Sequence, residues 1–131
     1  MEGEAWQREI EQQELHAEEG RKQLRQETLN TYRSMLKQMW IDGKPAKEER
    51  AMLDVVGRSL GITDADHIVL EREVQLESYA EALRSAWKSG IIDTDDTKTH
   101  ENLRNLYGVT LDQHHAIEPG VLRDVRRSQS E

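Results

Sequence analysis

A repeat with a period of about 47 residues constrains this 131-residue chain more than any other feature of its sequence. Placed in register without a gap, Leu29 meets Leu76, Tyr32 meets Tyr79, Leu36 meets Leu83, Trp40 meets Trp87 and Gly43 meets Gly90. Further on, Gly61 meets Gly108, Thr63 meets Thr110, His67 meets His114, Glu71 meets Glu118 and Val74 meets Val121. Ile62/Val109 and Leu70/Ile117 are conservative matches. A chain of this kind is expected to assemble two tandem units, residues 29–75 and 76–122, that bury their apolar faces against each other.

The matched residues fall at the spacings of helix faces and helix ends. Leu29, Tyr32, Leu36, Met39 and Trp40 recur three and four apart, as do Tyr79, Leu83, Ala86 and Trp87, and each set reads as one apolar stripe. Both tryptophans are therefore expected in the core. Leu53, Val56 and Leu60 form the next stripe, with Leu103, Leu106 and Tyr107 as its counterpart. Gly61 and Gly108 then suit left-handed helix stops, and Thr63 and Thr110 suit N-caps with Asp66 and Gln113 as their N3 partners. His67 and His114 fall at N4, beside the aliphatic N′ residue, where a hydrophobic staple forms.

Each unit thus reads as three helices. Neither glycine nor proline interrupts Asp64 to Ser89, so the third helix of the first unit is expected to run into the first helix of the second. The apolar phase slips between Val74 and Tyr79, which predicts a bend or a change of buried face. Pro119-Gly120 is expected to break the last helix early, and Arg123 to Glu131 to form a frayed tail.

Composition narrows the class. Hydrophobic residues make up 35% of the chain, aromatic residues 5%, and phenylalanine is absent, too little for a broad sandwich core but enough for amphipathic helices. The expected fold is all-α. The formal charge of −8 argues against nucleic acid as a partner, because phosphate neutralisation needs a basic surface. Without cysteine there is no disulfide, thiolate nucleophile or Cys-based metal centre. No apolar run approaches the roughly 20 residues of a membrane span, and no signal peptide is recognisable, so a soluble, cytoplasmic chain is expected.

Residues 1–28 lie outside the repeat. They hold eight glutamates against four Arg or Lys, with Trp6, Ile10, Leu15 and Leu24 as the large apolar residues. Good helix formers dominate and Gly20 interrupts them, so an acidic helical arm that docks on a partner is expected.

Chemistry finds little support. No nucleophile and base can be paired, and there is no phosphate-binding loop or His-Glu-x-x-His, so the chain is read as not an enzyme. His67 and His114 could pair as metal ligands, but their staple positions explain both. The stretch from Asp93 carries Asp95, Thr97, Thr99 and Glu101 at alternate positions, as in a calcium loop. Lys98 replaces the loop glycine, however, and Arg104 replaces the bidentate glutamate. The stretch therefore reads as a helix start with Asp93 as N-cap. Asp42, Asp93, Asp95 and Glu101 are the residues a cation would use; no metal, cofactor or catalytic residue is expected.

The stretch from Trp40 through Asp42, Gly43 and Glu49 to Arg50, followed by Leu53 and Leu60-Gly61-Ile62-Thr63, resembles the tellurite-resistance TerB-like family. Asp42, Gly43 and Glu49 carry the match. Ala46 stands where a capping Ser or Thr is usual, and Ser89 replaces the aspartate in the second unit. The resemblance implies a duplicated all-α module of stress-response or membrane-linked assemblies, and with it a metal-linked alternative (Ca²⁺ or a related cation). The leading expectation is a non-catalytic adaptor or scaffold component that binds another protein, or its own copies, through Trp6, Ile10, Leu15 and Leu24.

Gly61→Val and Gly108→Val are each expected to cost more than about 1 kcal/mol, and Thr63→Ala about 1 kcal/mol. Urea midpoints report all three.

Overall fold

In a computed structural model that describes residues 2–93 and 95–130, the chain forms five α-helices. They are α1 (Glu2–Met39), α2 (Lys47–Leu60), α3 (Asp64–Lys88), α4 (Thr97–Tyr107) and α5 (Leu111–Ser130). No strand occurs among the described residues, and no helix is long and apolar enough to cross a membrane. The chain divides into two compact units, Met1–Tyr32 and Arg33–Glu131. The first is the N-terminal part of α1. The second contains the remaining residues of α1 and the other four helices.

Helix ends within the second unit follow local chemistry. Gly61 and Gly108 adopt φ of 72° and 66°, and the next residue's N–H reaches back five residues in each case. Ile62 N–H donates to Gly57 C=O at 2.8 Å, and Val109 N–H to Arg104 C=O at 2.9 Å. These are Schellman closures, in which glycine takes the left-handed position. Each is followed by a reciprocal capping box. The Asp66 N–H donates to Thr63 Oγ1 at 3.1 Å and the Thr63 N–H to Asp66 Oδ2 at 3.2 Å. Gln113 and Thr110 repeat the exchange at 3.1 and 2.9 Å. Helix stop and helix start are joined with almost no loop.

The core runs along α3, which packs most extensively on α5 and then on α4. Leu36, Trp40, Leu53, Val74, Tyr79, Leu83, Tyr107, Val109, Val121 and Val125 are buried. The slip in apolar phase does not interrupt α3, which is one helix, and its buried face moves round by about 140° between Val74 and Tyr79 at about 100° per residue. A helix covered from more than one side can bury more than one stripe. Ion pairs line its flanks, from Arg33 to Glu73 and Glu77, from Lys37 to Glu81 and from Arg84 to Asp124. Partly solvated pairs of this kind contribute about 0–1 kcal/mol each.

Several expectations need correction. Trp40 is buried at 3% exposure, whereas Trp87 is only half-buried because one edge of its indole faces a cavity. Leu106 is exposed, not part of a buried stripe. Pro119 does not end α5. The proline lacks the N–H that His115 C=O would accept, but Val121 and Val125 beyond it are buried, and their packing carries the helix past the break. The tail is likewise helical through Ser130, with Val125, at 5% exposure, its last buried residue; Glu131 lies outside the described residues.

The loop between α1 and α2 is bonded to the end of α4. Lys44 N–H donates to Leu106 C=O at 3.0 Å, and Tyr107 O–H donates to Ile41 C=O at 2.8 Å. Gly43 lies beneath this junction with φ of 117°, and a Cβ there would stand 2.8 Å from both Leu106 O and Leu106 Cγ. Its counterpart in the sequence, Gly90, also has positive φ, but a Cβ there would meet nothing within 4 Å. Gly90→Ala is therefore expected to cost about 1 kcal/mol of backbone strain. Gly43→Ala should cost that and a steric penalty of about 1–3 kcal/mol more, since a backbone carbonyl has to move. Thermal or urea unfolding of the two variants side by side measures the difference.

Candidate functional site

The residues that carried the sequence-based site expectations are dispersed. Asp42 is exposed in the α1–α2 loop, where its charge and the burial of Tyr107 raise the Tyr107 hydroxyl pKa, burial contributing more. Asp93 does not cap α4. Its Oδ1 accepts from Asp95 N–H at 2.9 Å in an Asx turn, and Asp96 is the N-cap. Asp96 accepts from the Thr99 hydroxyl at 2.7 Å and the Thr99 N–H at 3.1 Å, and those bonds hold its carboxyl below the usual range. Thr97, Thr99 and Glu101 belong to α4 itself, so the alternating oxygens of a calcium loop do not converge. Thr94 lies outside the described residues.

A different set does converge. His114 on α5 is buried at 4% exposure, and its two ring nitrogens face in different directions. Nδ1 meets the Tyr79 hydroxyl at 2.5 Å, and Nε2 meets Glu118 Oε2 at 2.9 Å. His100 on α4 brings Nδ1 to within 3.5 Å of the same carboxylate oxygen, while its Nε2 lies 3.3 Å from the Asp93 carbonyl. His100, His114 and Glu118 are the described residues that offer three ligand atoms to one point, all within 4.8 Å of one another. Aromatic edges close the cluster: the ring centroids of His100 and His114 are 5.2 Å apart, and those of Trp87 and His100 are 5.8 Å apart.

Electrostatics here follow from burial. Burial pushes the Tyr79 hydroxyl up to about 12, so it keeps its proton throughout the physiological range. The same effect holds the His114 imidazole below its ordinary pKa, with Glu118 opposing that shift and His100 adding to it. A neutral His114 then fits both contacts as one tautomer, with Tyr79 O–H donating to Nδ1 and Nε2–H donating to Glu118. The cluster lines a cavity of about 230 Å³ together with Trp87, Arg104 and Leu122. Two buried N–H groups at this place, Trp87 Nε1 and Arg104 Nε, have no hydrogen-bond partner among the described residues.

His67 and Glu71, the sequence counterparts of His114 and Glu118, also pair, at 3.4 Å. Their third member differs, because Arg50 reaches Glu71 at 3.3 Å where His100 reaches Glu118. The i, i+4 spacing of each His–Glu pair was a legible signal on a helix. His100 carried none, since it joins the cluster only across the α4–α5 corner.

The arm residues have a separate arrangement. In α1, Trp6, Leu15 and Leu24 are exposed at 67%, 59% and 64%, and Ile10 is half-buried. At 100° per residue Trp6, Ile10 and Leu24 share one face with Ala17. Leu15, nine residues from both Trp6 and Leu24, sits on the opposite face and leaves the seam. Comparison with family models, with curated proteins and with solved structures gave no match.

Tyr79→Phe leaves His114 Nδ1 buried without a donor, and should cost about 1–3 kcal/mol. His67→Gln, at a half-buried pair beside solvent, should cost under about 1 kcal/mol. Urea unfolding at neutral pH compares them directly.

Proposed function

We propose that the chain is a non-catalytic protein–protein interaction module, an adaptor or scaffold component that binds its partner through the N-terminal part of α1. The observation that carries this reading is the apolar face of Trp6, Ile10, Ala17 and Leu24 on the N-terminal part of α1, where Trp6 and Leu24 are exposed and Ile10 is half-buried. Spacings of four, seven and seven keep this seam on one side of the helix, as helix-in-groove recognition requires. An exposed indole with an aliphatic neighbour is the kind of anchor that dominates such interfaces. The remainder, residues 29–122, serves in this reading as a tandem helical scaffold; the matched Schellman and capping-box corners support that role.

Charge selects among partners. Residues 1–28 carry eight glutamates against four basic residues, and the whole chain is at −8. A second copy would bring acidic surface to an acidic seam, whereas a basic groove on another protein would attract it. The preferred occupant of the seam is therefore a different, basic protein, with self-association the weaker outcome.

The test uses the full chain with three changes: Trp6→Ala/Ile10→Ala on the seam, Leu24→Glu on the seam, and Leu15→Ala on the opposite face. Partners recovered from the native host are identified by mass spectrometry, and the recovered protein is then titrated against each purified variant. Seam variants should weaken binding by more than about 10-fold, as loss of an anchor worth about 2 kcal/mol implies, while Leu15→Ala should bind as the parent does. Equal binding by all of them places the interaction elsewhere and overturns the reading. Light scattering of the same variants measures self-association.

A further inference from the structure

We infer that His100, His114 and Glu118 form a binding site for a divalent transition-metal ion, zinc by preference, on the second unit. This is independent of partner binding by α1. The geometry is close to what an ion needs. Zinc bonds of about 2.0–2.2 Å in tetrahedral array separate ligand atoms by roughly 3.3–3.5 Å. Glu118 Oε2 lies 3.5 Å from His100 Nδ1 and 2.9 Å from His114 Nε2. All three atoms lie within 4.8 Å of one another, so the ion is accommodated by small side-chain rotations.

The hydrogen-bond pattern supplies a second argument. A backbone carbonyl only accepts, so the 3.3 Å contact with Asp93 C=O places the His100 proton on Nε2. His100 Nδ1 then faces a carboxylate oxygen 3.5 Å away, an arrangement that a cation held between the two atoms would satisfy. A ligating imidazole commonly gives its other N–H to a backbone carbonyl, and His100 has that partner in place. On His114 the Tyr79 hydroxyl can play either part. Without an ion it donates to Nδ1, and Nε2–H faces Glu118. With the ion on Nε2, that proton is released and Nδ1 takes one up from solvent, now donating to the Tyr79 oxygen. The imidazole remains neutral and only the tautomer changes.

The sequence counterpart of the His114–Glu118 pair serves as an internal contrast. Its His67–Glu71 pair meets Arg50, whose guanidinium is permanently charged and ligates no metal. Arg50 sets a fixed cation against Glu71, whereas His100 sets an imidazole against Glu118, and only the imidazole can complete a ligand set. Two imidazole nitrogens and one carboxylate oxygen favour zinc over calcium or magnesium, which take oxygen ligands throughout. The fourth position opens on the cavity beside Arg104, where water or a small anion would complete the coordination.

The test titrates zinc chloride, and separately calcium chloride, into the chelator-stripped full chain by calorimetry, with thermal unfolding alongside. One zinc ion per chain should bind and raise Tm, and calcium should not compete. His100→Gln and Glu118→Gln should each weaken zinc at least about 100-fold, beyond the roughly 10–100-fold expected for losing an outer partner of a ligand. His16→Gln, His67→Gln and His115→Gln should bind as the parent does. Circular dichroism of the metal-free variants establishes that they fold. Should His100→Gln unfold, histidine ring signals in the NMR spectrum of the parent decide, with those of His100 and His114 shifting on zinc addition. Failure to bind zinc, undiminished binding by the folded His100→Gln and Glu118→Gln variants, or shifts confined to other histidines overturns the site.

Discussion

The buried hydrogen bond between the Tyr79 hydroxyl and His114 Nδ1 is the contact on which the second unit turns. Tyr79 stands where three helices meet: its ring lies edge-on to Tyr107 of α4 at 6.0 Å and to His114 of α5 at 5.9 Å. Deep in the protein neither polar group can turn to water, so each must satisfy the other. That requirement fixes the orientation of the imidazole ring and directs Nε2 at Glu118. Packing and site geometry are therefore the same constraint, and a change at Tyr79 reaches the cavity without touching its lining.

Around that junction the helix termini are closed locally and then tied to one another. Gln75 of α3 donates from one amide nitrogen to Tyr107 C=O and Gly108 C=O, at 2.9 and 3.0 Å, and so satisfies carbonyls that the end of α4 leaves open. Lys44 N–H does the same for Leu106 C=O from the α1–α2 loop. These ties break the equivalence that the two halves show in sequence. Gly43 is pinned under Leu106 while Gly90 is open, and Trp40 is buried while Trp87 edges a cavity. Matching residues at matching positions have come to do different things because their surroundings differ.

The N-terminal part of α1 follows another logic. Its glutamates, glutamines and arginines are good helix formers, and bonds such as Gln26 to Asn30 and Lys22 to Glu18 run along its surface. Such interactions contribute only tenths of a kcal/mol each, so they support a helix without giving it a core. Trp6, Leu15 and Leu24 are left exposed on that surface.

The all-α class, both Gly–Thr corners, the continuous α3 and the His–Glu spacing were legible in the sequence. Each rests on interactions within about five residues: a Schellman closure, a capping box, an i, i+4 pair or an unbroken run of helix formers. Where two local signals competed, only the fold chose between them. Asp93 and Asp96 are both good caps, and Thr99 decided for Asp96 by offering its hydroxyl and N–H together. Pro119 is a local stop that the burial of Val121 and Val125 outweighs. The side-chain cluster lay furthest from view. His100 reaches Glu118 across 18 residues of chain, and its approach depends on where the corner at Gly108 delivers α5 against α4. Sequence determines the ends and faces of helices because those are short-range effects. Which faces meet, and which titratable groups they trap together, is decided by packing, which no local pattern records.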